Sequence, residues 1–93
     1  LAKSLASELG KHNILVNTVC PGRIMTDRFL EGARRARVPT EEYLASQSAD
    51  IPLARVGTPE EFASVVVFLA SERASYVTGV TVQVDGGLVR GLL

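Results

Sequence analysis

A short apolar run that ends in a proline–glycine pair constrains the fold of this chain more than any other feature. The run begins at Ile14 and predicts a buried strand over residues 14–19. At Pro21 and Gly22 we expect the strand to stop, because proline has no N–H to give to a sheet and glycine permits a sharp change of direction. The chain therefore leaves a sheet at a strand's carboxyl end, the edge where open α/β sheets bind ligands.

A second strand is predicted near the end of the chain. Val80, Val82 and Val84 alternate with polar residues over 80–84, as in a half-covered or edge strand. The long segment between the two strands contains helical patterns, which favours a parallel pair because parallel strands require a crossover. Two such strands alone would leave open edges and little core, since parallel strands are normally buried within a larger sheet. The pattern indicates part of a larger α/β domain.

The sharpest local signal is the start of a helix at Thr58. Thr58 can accept a hydrogen bond from the third helical N–H, Pro59 suits the first helical position, and Glu61 can reach back to complete a capping box. Apolar residues then recur at helical spacing, which predicts a helix over residues 59–71.

Leucines at every fourth position predict another helix over residues 1–10, with Gly10 as its C-terminal cap and no capping residue before it, as at the end of a longer helix. Residues 26–49, here called the lid, are polar with scattered apolar positions. They predict one or two short helices broken near Val38-Pro39, with Thr40 capping the second. Residues 51–57 predict an extended connector.

Composition limits the classes of function. The 93 residues make at most one domain, and 46% hydrophobic content suits a globular core. A net charge of zero provides no electrostatic footprint for nucleic acid or an anionic membrane. The longest apolar run, residues 65–70, is far below the roughly 18 residues of a membrane span. One cysteine, Cys20, excludes an internal disulfide and a cysteine-based zinc site, and fits a cytoplasmic protein.

Four segments, in the right order along the chain, resemble the short-chain dehydrogenases/reductases. The Pro-Gly-x-Ile-x-Thr segment over residues 21–26 is similar to the family's loop that holds the nicotinamide. The other three resemble the end of its long helix after the catalytic motif, the entry to its penultimate helix, and its last turn, last strand and terminal glycines: residues 1–9, 55–63 and 71–87.

The resemblance implies the C-terminal part of a Rossmann-like, doubly wound parallel sheet, with two strands and three to four helices in this chain. It also implies hydride transfer between NAD or NADP and a small carbonyl/alcohol substrate, which in the most similar group, the 3-oxoacyl-acyl-carrier-protein reductases, is carrier-linked. In the intact protein this segment would supply the nicotinamide contact, the substrate lid and the surface of a homodimer or homotetramer.

The candidate cofactor-binding residues are Pro21, Gly22, Ile24 and Thr26. A nicotinamide carboxamide needs donors and acceptors, which the backbone around Ile24 and the Thr26 hydroxyl can supply. The alternative is a turn in which Thr26 caps a helix beside Asp27. The two interpretations are compatible, because one hydroxyl can do both.

No catalytic residue or metal site is predicted within the chain. The family's Tyr-x-x-x-Lys pair is absent, since Gln47 follows Tyr43 by four residues and Val80 follows Tyr76 likewise. The phosphate-binding glycine loop is absent too. The isolated chain is therefore predicted to be inactive, although the intact protein is expected to be an enzyme. The rival hypothesis is a non-catalytic interaction module that pairs its exposed strand and helix with a partner chain.

Several other residues have a structural and a functional interpretation. Cys20 at the end of the strand is expected to be a small buried residue, and Asn17 to hydrogen-bond neighbouring backbone. An arginine cluster in the lid predicts a solvated face, with an acidic substrate as the alternative. Three apolar residues in or just before the lid could line a substrate pocket or pack the lid on the core, and the sequence favours neither: Met25, Phe29 and Leu30.

Overall fold

The computed structural model describes residues 1–89, and its centre is a two-stranded parallel sheet. Strand β1 spans Thr18–Pro21 and β2 spans Thr81–Val84, with Thr18 opposite Thr81 and Pro21 opposite Val84. The predicted parallel pairing is confirmed. On β2 the two valines are half-buried and the two polar residues exposed, as the alternation predicts.

The predicted bounds of the first strand were wrong at both ends. Before the strand, Val16 donates its N–H to the Thr78 hydroxyl, and its carbonyl accepts the Gly79 N–H. Both bonds lie outside the regular ladder of the sheet. At the other end, Pro21 is itself the last strand residue. Thr18 and Gly22 donate their N–H groups toward β2. Because the N–H groups of a strand alternate in direction, the nitrogen of Pro21 points away from β2, and proline interrupts no hydrogen bond of the sheet.

Helix α1 spans Ala2–Leu9 and continues as a 3-10 turn through His12. Gly10 is the C-cap of α1, as predicted, but its dihedral angles are helical, so the left-handed conformation that commonly ends a helix is not found there. Asn13 takes that conformation instead, with φ of 59°, and its N–H donates to the Gly10 carbonyl. Asparagine tolerates left-handed backbone better than most residues, so it can end a helix where glycine is more usual.

The lid contains two helices, α2 over Asp27–Ala36 and α3 over Thr40–Ser48, and the break near Val38-Pro39 is confirmed. The cap of α3 was predicted incorrectly. Pro39 occupies the capping position and Thr40 is the first helical residue, with no side-chain capping bond.

The connector over residues 51–57 is folded into turns, contrary to the predicted extended chain. Ala54 has φ of 61° and donates its N–H to the Ile51 carbonyl, which reverses the chain direction. Only Gly57 at its end forms a parallel bridge, to Ile24. The turns allow Ile51 and Val56 to be buried.

Helix α4 spans Pro59–Leu69 and carries the predicted capping box in full. It ends two residues earlier than predicted, because the Ser71 side chain caps the following 3-10 turn. None of the helices in residues 1–89 is long and apolar enough to span a membrane.

The core of residues 1–89 is small. Its buried apolar side chains are those of Ala6, Ala33, Ile51, Val56 and Ala74. By contrast, many large apolar side chains are exposed, including Leu5, Ile14, Leu15, Val66, Val67 and Phe68. This is the small core expected of two strands taken from a larger parallel sheet.

Candidate functional site

The four predicted site residues line one cavity of about 600 Å³ at the carboxyl end of the sheet. The cavity is bounded by the loop after β1, the first turn of the lid and the start of α4. Its lining residues are Pro21, Gly22, Arg23, Ile24, Thr26, Arg28, Phe29, Pro59 and Phe62. The structure therefore brings together residues from three elements that the sequence analysis treated separately.

Gly22 allows the loop to cross the end of β2 at very short range. A Cβ atom at this position would lie 2.5 Å from Asp85 Cβ and 2.7 Å from Asp85 Cα. Gly22 also donates its N–H to the Val84 carbonyl at 2.9 Å, which extends the parallel ladder past Pro21. Only a residue without a side chain fits here, so the requirement is one of space.

The connector fixes the backbone of the loop on both sides of Ile24. Gly57 donates its N–H to the Arg23 carbonyl at 3.0 Å and accepts the Met25 N–H at 2.8 Å. Because these groups flank Ile24, the N–H of Ile24 itself faces away from Gly57. The Ile24 carbonyl accepts the Thr26 N–H at 2.8 Å.

Thr26 caps α2, as the alternative interpretation of this residue predicted. Its Oγ1 accepts the Phe29 N–H at 3.3 Å, and Asp27 follows in the first turn. The hydroxyl proton and a second lone pair are not used by the cap. The side chain can therefore cap the helix and still bond to a molecule in the cavity.

Arg23 is a site residue that the sequence analysis missed. Its Nη1 donates to the Gln47 carbonyl at 2.7 Å and to Asp50 Oδ1 at 2.6 Å, and its Nη2 lies 3.4 Å from Asp50 Oδ2. The side chain is 32% exposed. Its partners are 24 and 27 residues away, so no local spacing could have identified them.

The lid forms one wall of the cavity through Phe29. The Phe29 ring lies 5.1 Å from that of Tyr43, with the planes tilted by 58°, which is a favourable aromatic arrangement. Tyr43 in turn places its hydroxyl against Gly32, where a Cβ would clash with it. Met25 and Leu30 are half-buried but do not line the cavity, so of the three apolar candidates in or just before the lid only Phe29 does.

Asn17 ties β1 to the chain before β2, as predicted. Its Nδ2 donates to the Val77 carbonyl at 3.0 Å, and its Oδ1 accepts the Val80 N–H at 3.2 Å. Cys20 lies half-buried in β1. In the lid, Arg34 pairs with Glu31 at 3.1 Å and its side chain is 75% exposed, which favours the solvated-face interpretation.

A two-bond charge pair lies beside the site, at the start of α4. Arg55 donates to both carboxylate oxygens of Glu61, at 2.7 and 2.6 Å, and Glu61 Oε1 also accepts the Thr58 N–H. These hydrogen bonds, the one from Arg55 first, lower the pKa of Glu61 to about 2. The same contacts raise the pKa of Arg55.

Within residues 1–89 no cluster of three or more His, Cys, Asp or Glu side chains is placed to hold a metal ion.

Comparison with known proteins gives the family. Residues 1–89 match the family model described as enoyl-(acyl carrier protein) reductase. The chain is 49% identical over 86 residues to 3-oxoacyl-acyl-carrier-protein reductase FabG of Aquifex aeolicus, which covers 92% of the chain and 32% of the relative. A short chain dehydrogenase family protein from Francisella tularensis superposes on 94% of the chain with a TM-score of 0.82 and 36% identity, over 38% of its own length. The chain belongs to the short-chain dehydrogenase/reductase family.

The α/β fold of this family member is Rossmann-like, as its structural neighbours are. L-sorbose reductase from Gluconobacter frateurii, solved in complex with NADPH and L-sorbose, matches 98% of the chain with a TM-score of 0.89 and 38% identity. That match covers 36% of the reductase. The chain spans about a third of the length of these curated and structural relatives.

Proposed function

We propose that this chain is the C-terminal part of a single Rossmann-like dehydrogenase domain that transfers a hydride between NAD(P)H and a carbonyl substrate. The observation that carries the proposal is the cavity at the carboxyl end of the parallel sheet, lined by Pro21, Gly22, Ile24 and Thr26. In open α/β sheets this edge is where nucleotide cofactors bind. The NADPH complex of L-sorbose reductase supports the same cofactor class here.

The rest of such a domain accounts for the exposed apolar surface. Leu5 of α1 and the residues before β1, Ile14 and Leu15, are 38–47% exposed in this chain. Parallel strands are normally covered on both faces by helices and flanked by further strands. We propose that residues outside this chain supply that cover, and that they also carry the tyrosine–lysine acid/base pair that the family resemblance implies.

Thr26 and Ile24 would orient the nicotinamide. The Thr26 hydroxyl can still donate one hydrogen bond and accept another, and the Ile24 N–H, which faces away from Gly57, can donate one. These groups match the acceptor and donor groups of a carboxamide. When bound, the nicotinamide supplies or accepts the hydride. The role of this segment is to hold one face of the nicotinamide ring toward the cavity. Phe29 forms the wall of the cavity on the lid side.

The substrate would be a small carbonyl/alcohol compound in the cytoplasm. The name of the FabG relative supports a carrier-linked 3-oxoacyl group, whereas L-sorbose reductase supports a sugar. The apolar wall made by Phe29 and Phe62 favours the acyl chain over the sugar. Because the 93 residues contain no Tyr-x-x-x-Lys, the isolated chain is expected to be inactive.

Exposed apolar residues on α4 and before β2 support an oligomer. Val66, Val67 and Phe68 of α4 are 41%, 66% and 47% exposed, and Val80 is 36% exposed. Burial of these side chains against a two-fold copy would stabilise a homodimer, and two dimers would make a homotetramer. The rival hypothesis, a non-catalytic module, would use the same exposed side chains to bind a partner and would require no cofactor.

The decisive experiment removes the Thr26 hydroxyl in the full-length protein. Thr26→Val loses a helix cap and one hydrogen bond to the cofactor, so the free energy of unfolding should fall by about 1 kcal/mol and NADPH affinity by roughly two- to twelve-fold. Thr26→Ser keeps the hydroxyl and should resemble the parent in both. NADPH titration and thermal melts measure the two effects separately.

Thr58→Val is the matched control for this experiment. Thr58 also caps a helix through its hydroxyl, accepting the Glu61 N–H at 3.1 Å, but it does not line the cavity. It should therefore lose similar stability and retain parental NADPH affinity. Equal NADPH affinity in Thr26→Val and the parent would contradict the cofactor role of Thr26, and a full-length parent that binds neither NADH nor NADPH would favour the non-catalytic module.

A further inference from the structure

Arg23 joins the cofactor loop to the far end of the lid. Its backbone lies between Gly22 and Ile24 in the loop that lines the cavity, and its guanidinium reaches the chain at the end of α3. There it bonds to the Gln47 carbonyl at 2.7 Å and to Asp50 at 2.6 Å. The contact closes a segment of 27 residues with one side chain.

The chemistry of this contact requires arginine. Gln47 belongs to the last turn of α3, where unpaired carbonyls carry partial negative charge, and Asp50 adds a full negative charge just beyond the helix. A guanidinium has five N–H donors in a planar fork and can bond the carbonyl and the carboxylate at once. A lysine ammonium has compact donors and cannot reproduce that fork.

The other end of the lid is attached to the same loop. Helix α2 begins directly after its cap, Thr26, only three residues beyond Arg23. The Phe29–Tyr43 ring contact joins α2 to α3 between these two attachments. The lid is thus a helical hairpin whose two ends both contact one loop, and the Arg23 side chain adds to the anchor that buried Ile51 provides just after α3.

The loop itself is fixed independently of the lid. Gly57 bonds the backbone on both sides of Ile24, and Gly22 bonds the Val84 carbonyl at 2.9 Å. Loss of the Arg23 guanidinium would therefore loosen the α3 end of the lid, which buried Ile51 still anchors through the connector, while the cavity floor stays in place. In the Arg34–Glu31 pair, by contrast, both partners lie on one helix and the arginine is 75% exposed, so that pair restrains nothing distant.

We propose that Arg23 is a positioning residue that holds the lid over the cavity and thereby sets the affinity for the carbonyl substrate. The inference rests on the proposed reductase function. Arg23 itself lines part of the cavity, but its guanidinium is bonded to the lid, so its effect on the substrate runs through the lid, which presents Phe29 to the cavity. Cofactor binding depends on the loop and should be insensitive to this contact.

The test compares three variants of the full-length protein with the parent. Arg23→Met removes the guanidinium and keeps the aliphatic length, Arg23→Lys keeps the charge without the fork, and Arg34→Met is the matched control on the lid's exposed face. Amide hydrogen exchange over residues 40–50 reports the attachment in the substrate-free protein. Kinetics with NADPH and acetoacetyl coenzyme A or L-sorbose, whichever the parent reduces, report its effect on catalysis.

Arg23→Met should speed exchange over residues 40–50 by about tenfold, because a charge-assisted bond to two acceptors is lost. It should raise KM by a similar factor, with kcat and the Kd for NADPH within about twofold of the parent. Arg23→Lys should lie between the two, and Arg34→Met should match the parent.

Parental exchange rates in Arg23→Met would overturn the attachment. Faster exchange with an unchanged KM, or a weaker Kd for NADPH as the main effect, would overturn the role in substrate affinity. A parent that consumes no NADPH with any carbonyl would contradict the proposed function instead, and the exchange measurement would still decide whether Arg23 holds the lid.

Discussion

The start of α4 is held by contacts between residues close in sequence, whereas the loop after β1 is held by contacts between residues far apart in sequence. At α4, Glu61 bonds both Thr58 and Arg55, all within six residues of one another. In the loop, Arg23 reaches a partner 27 residues away and Gly22 lies against Asp85 from the far end of the chain. The helix start is therefore encoded locally, whereas the loop that lines the cavity is assembled from three distant segments. One substitution in the loop should disturb more of the molecule than one at the helix start.

Gly22→Ala in the full-length protein should have the largest effect, because it breaks the closest of the long-range contacts. The new Cβ would lie 2.5 Å from Asp85 Cβ and 2.7 Å from Asp85 Cα. Backbone cannot retreat as a flexible side chain can, so we expect the free energy of unfolding to fall by about 3 kcal/mol. Chemical denaturation of the full-length variant and parent measures this difference.

Gly10→Ala provides the control for the loss of glycine itself. Gly10 has helical dihedral angles and nothing within 4 Å of the added Cβ, so alanine should leave stability unchanged or raise it by up to about 1 kcal/mol. Similar destabilisation by both substitutions would mean that the close approach at Gly22 is not what matters.

Asn17→Ala should have an intermediate effect. It removes the bond to the Val77 carbonyl and the bond from the Val80 N–H, leaving two backbone groups beside the sheet without their partners. We expect a loss of about 2 kcal/mol in the free energy of unfolding, measured by denaturant titration.

Ser46→Ala tests whether the sequence separation of two hydrogen-bonded residues determines how much stability their bond contributes. Ser46 also bonds backbone through its side chain, but to Tyr43 within one helix. Its loss should change stability by less than about 0.5 kcal/mol. If Ser46→Ala and Asn17→Ala cost the same, the contrast between local and long-range contacts would fail.

The smallest effect is expected at the start of α4, and it should depend on pH. The pKa of Glu61 is lowered to about 2 in the folded protein, below its ordinary 4.5. The carboxylate therefore contributes stability above about pH 4.5, and that contribution is lost as the pH falls toward 2. The pair is solvent-exposed, so the contribution is small.

Thermal melts of the parent and Glu61→Gln between pH 7 and pH 3 test this prediction. The parent should be the more stable at pH 7, and the difference should shrink steadily below pH 4.5. Glu60→Gln, one residue earlier and outside the Arg55 pair, should keep the acid dependence of the parent. A difference between Glu61→Gln and the parent that is independent of pH would rule out the charge as its source.

Locally encoded features were predictable from the sequence. The capping box at Thr58 and Glu61 depends on spacing alone, as does the break of the lid near Val38-Pro39. The parallel pairing of the strands followed from the length of the crossover. The choice of Pro21, Gly22, Ile24 and Thr26 came from the family resemblance, and their position at one cavity agrees with the rule that ligands bind at the carboxyl edge of such sheets.

Features that depend on distant partners were not predictable. Pro21 was expected to stop the strand, but it is the last strand residue. The register of β1 on β2 decides which residues of β1 donate N–H groups to β2, and register is not a local property of the sequence. The left-handed conformation after α1 falls on Asn13 and not on Gly10, which the sequence does not decide because both residues tolerate it. The role of Arg23 was missed because its acceptors are a helix-end carbonyl and Asp50, which carry no motif.

The direct pairing of β1 with β2 also affects how the chain can change during evolution. Asn17 and Val80, which bond beside the first rung of the ladder, are 63 residues apart. The entropy of closing so long a segment rises only with the logarithm of its length, so doubling it would cost about 0.6 kcal/mol. Insertions or deletions in the lid should thus be tolerated by the sheet. If the lid contacts the substrate as proposed, new substrate preferences can then arise by remodelling the lid without rebuilding the strands beneath it.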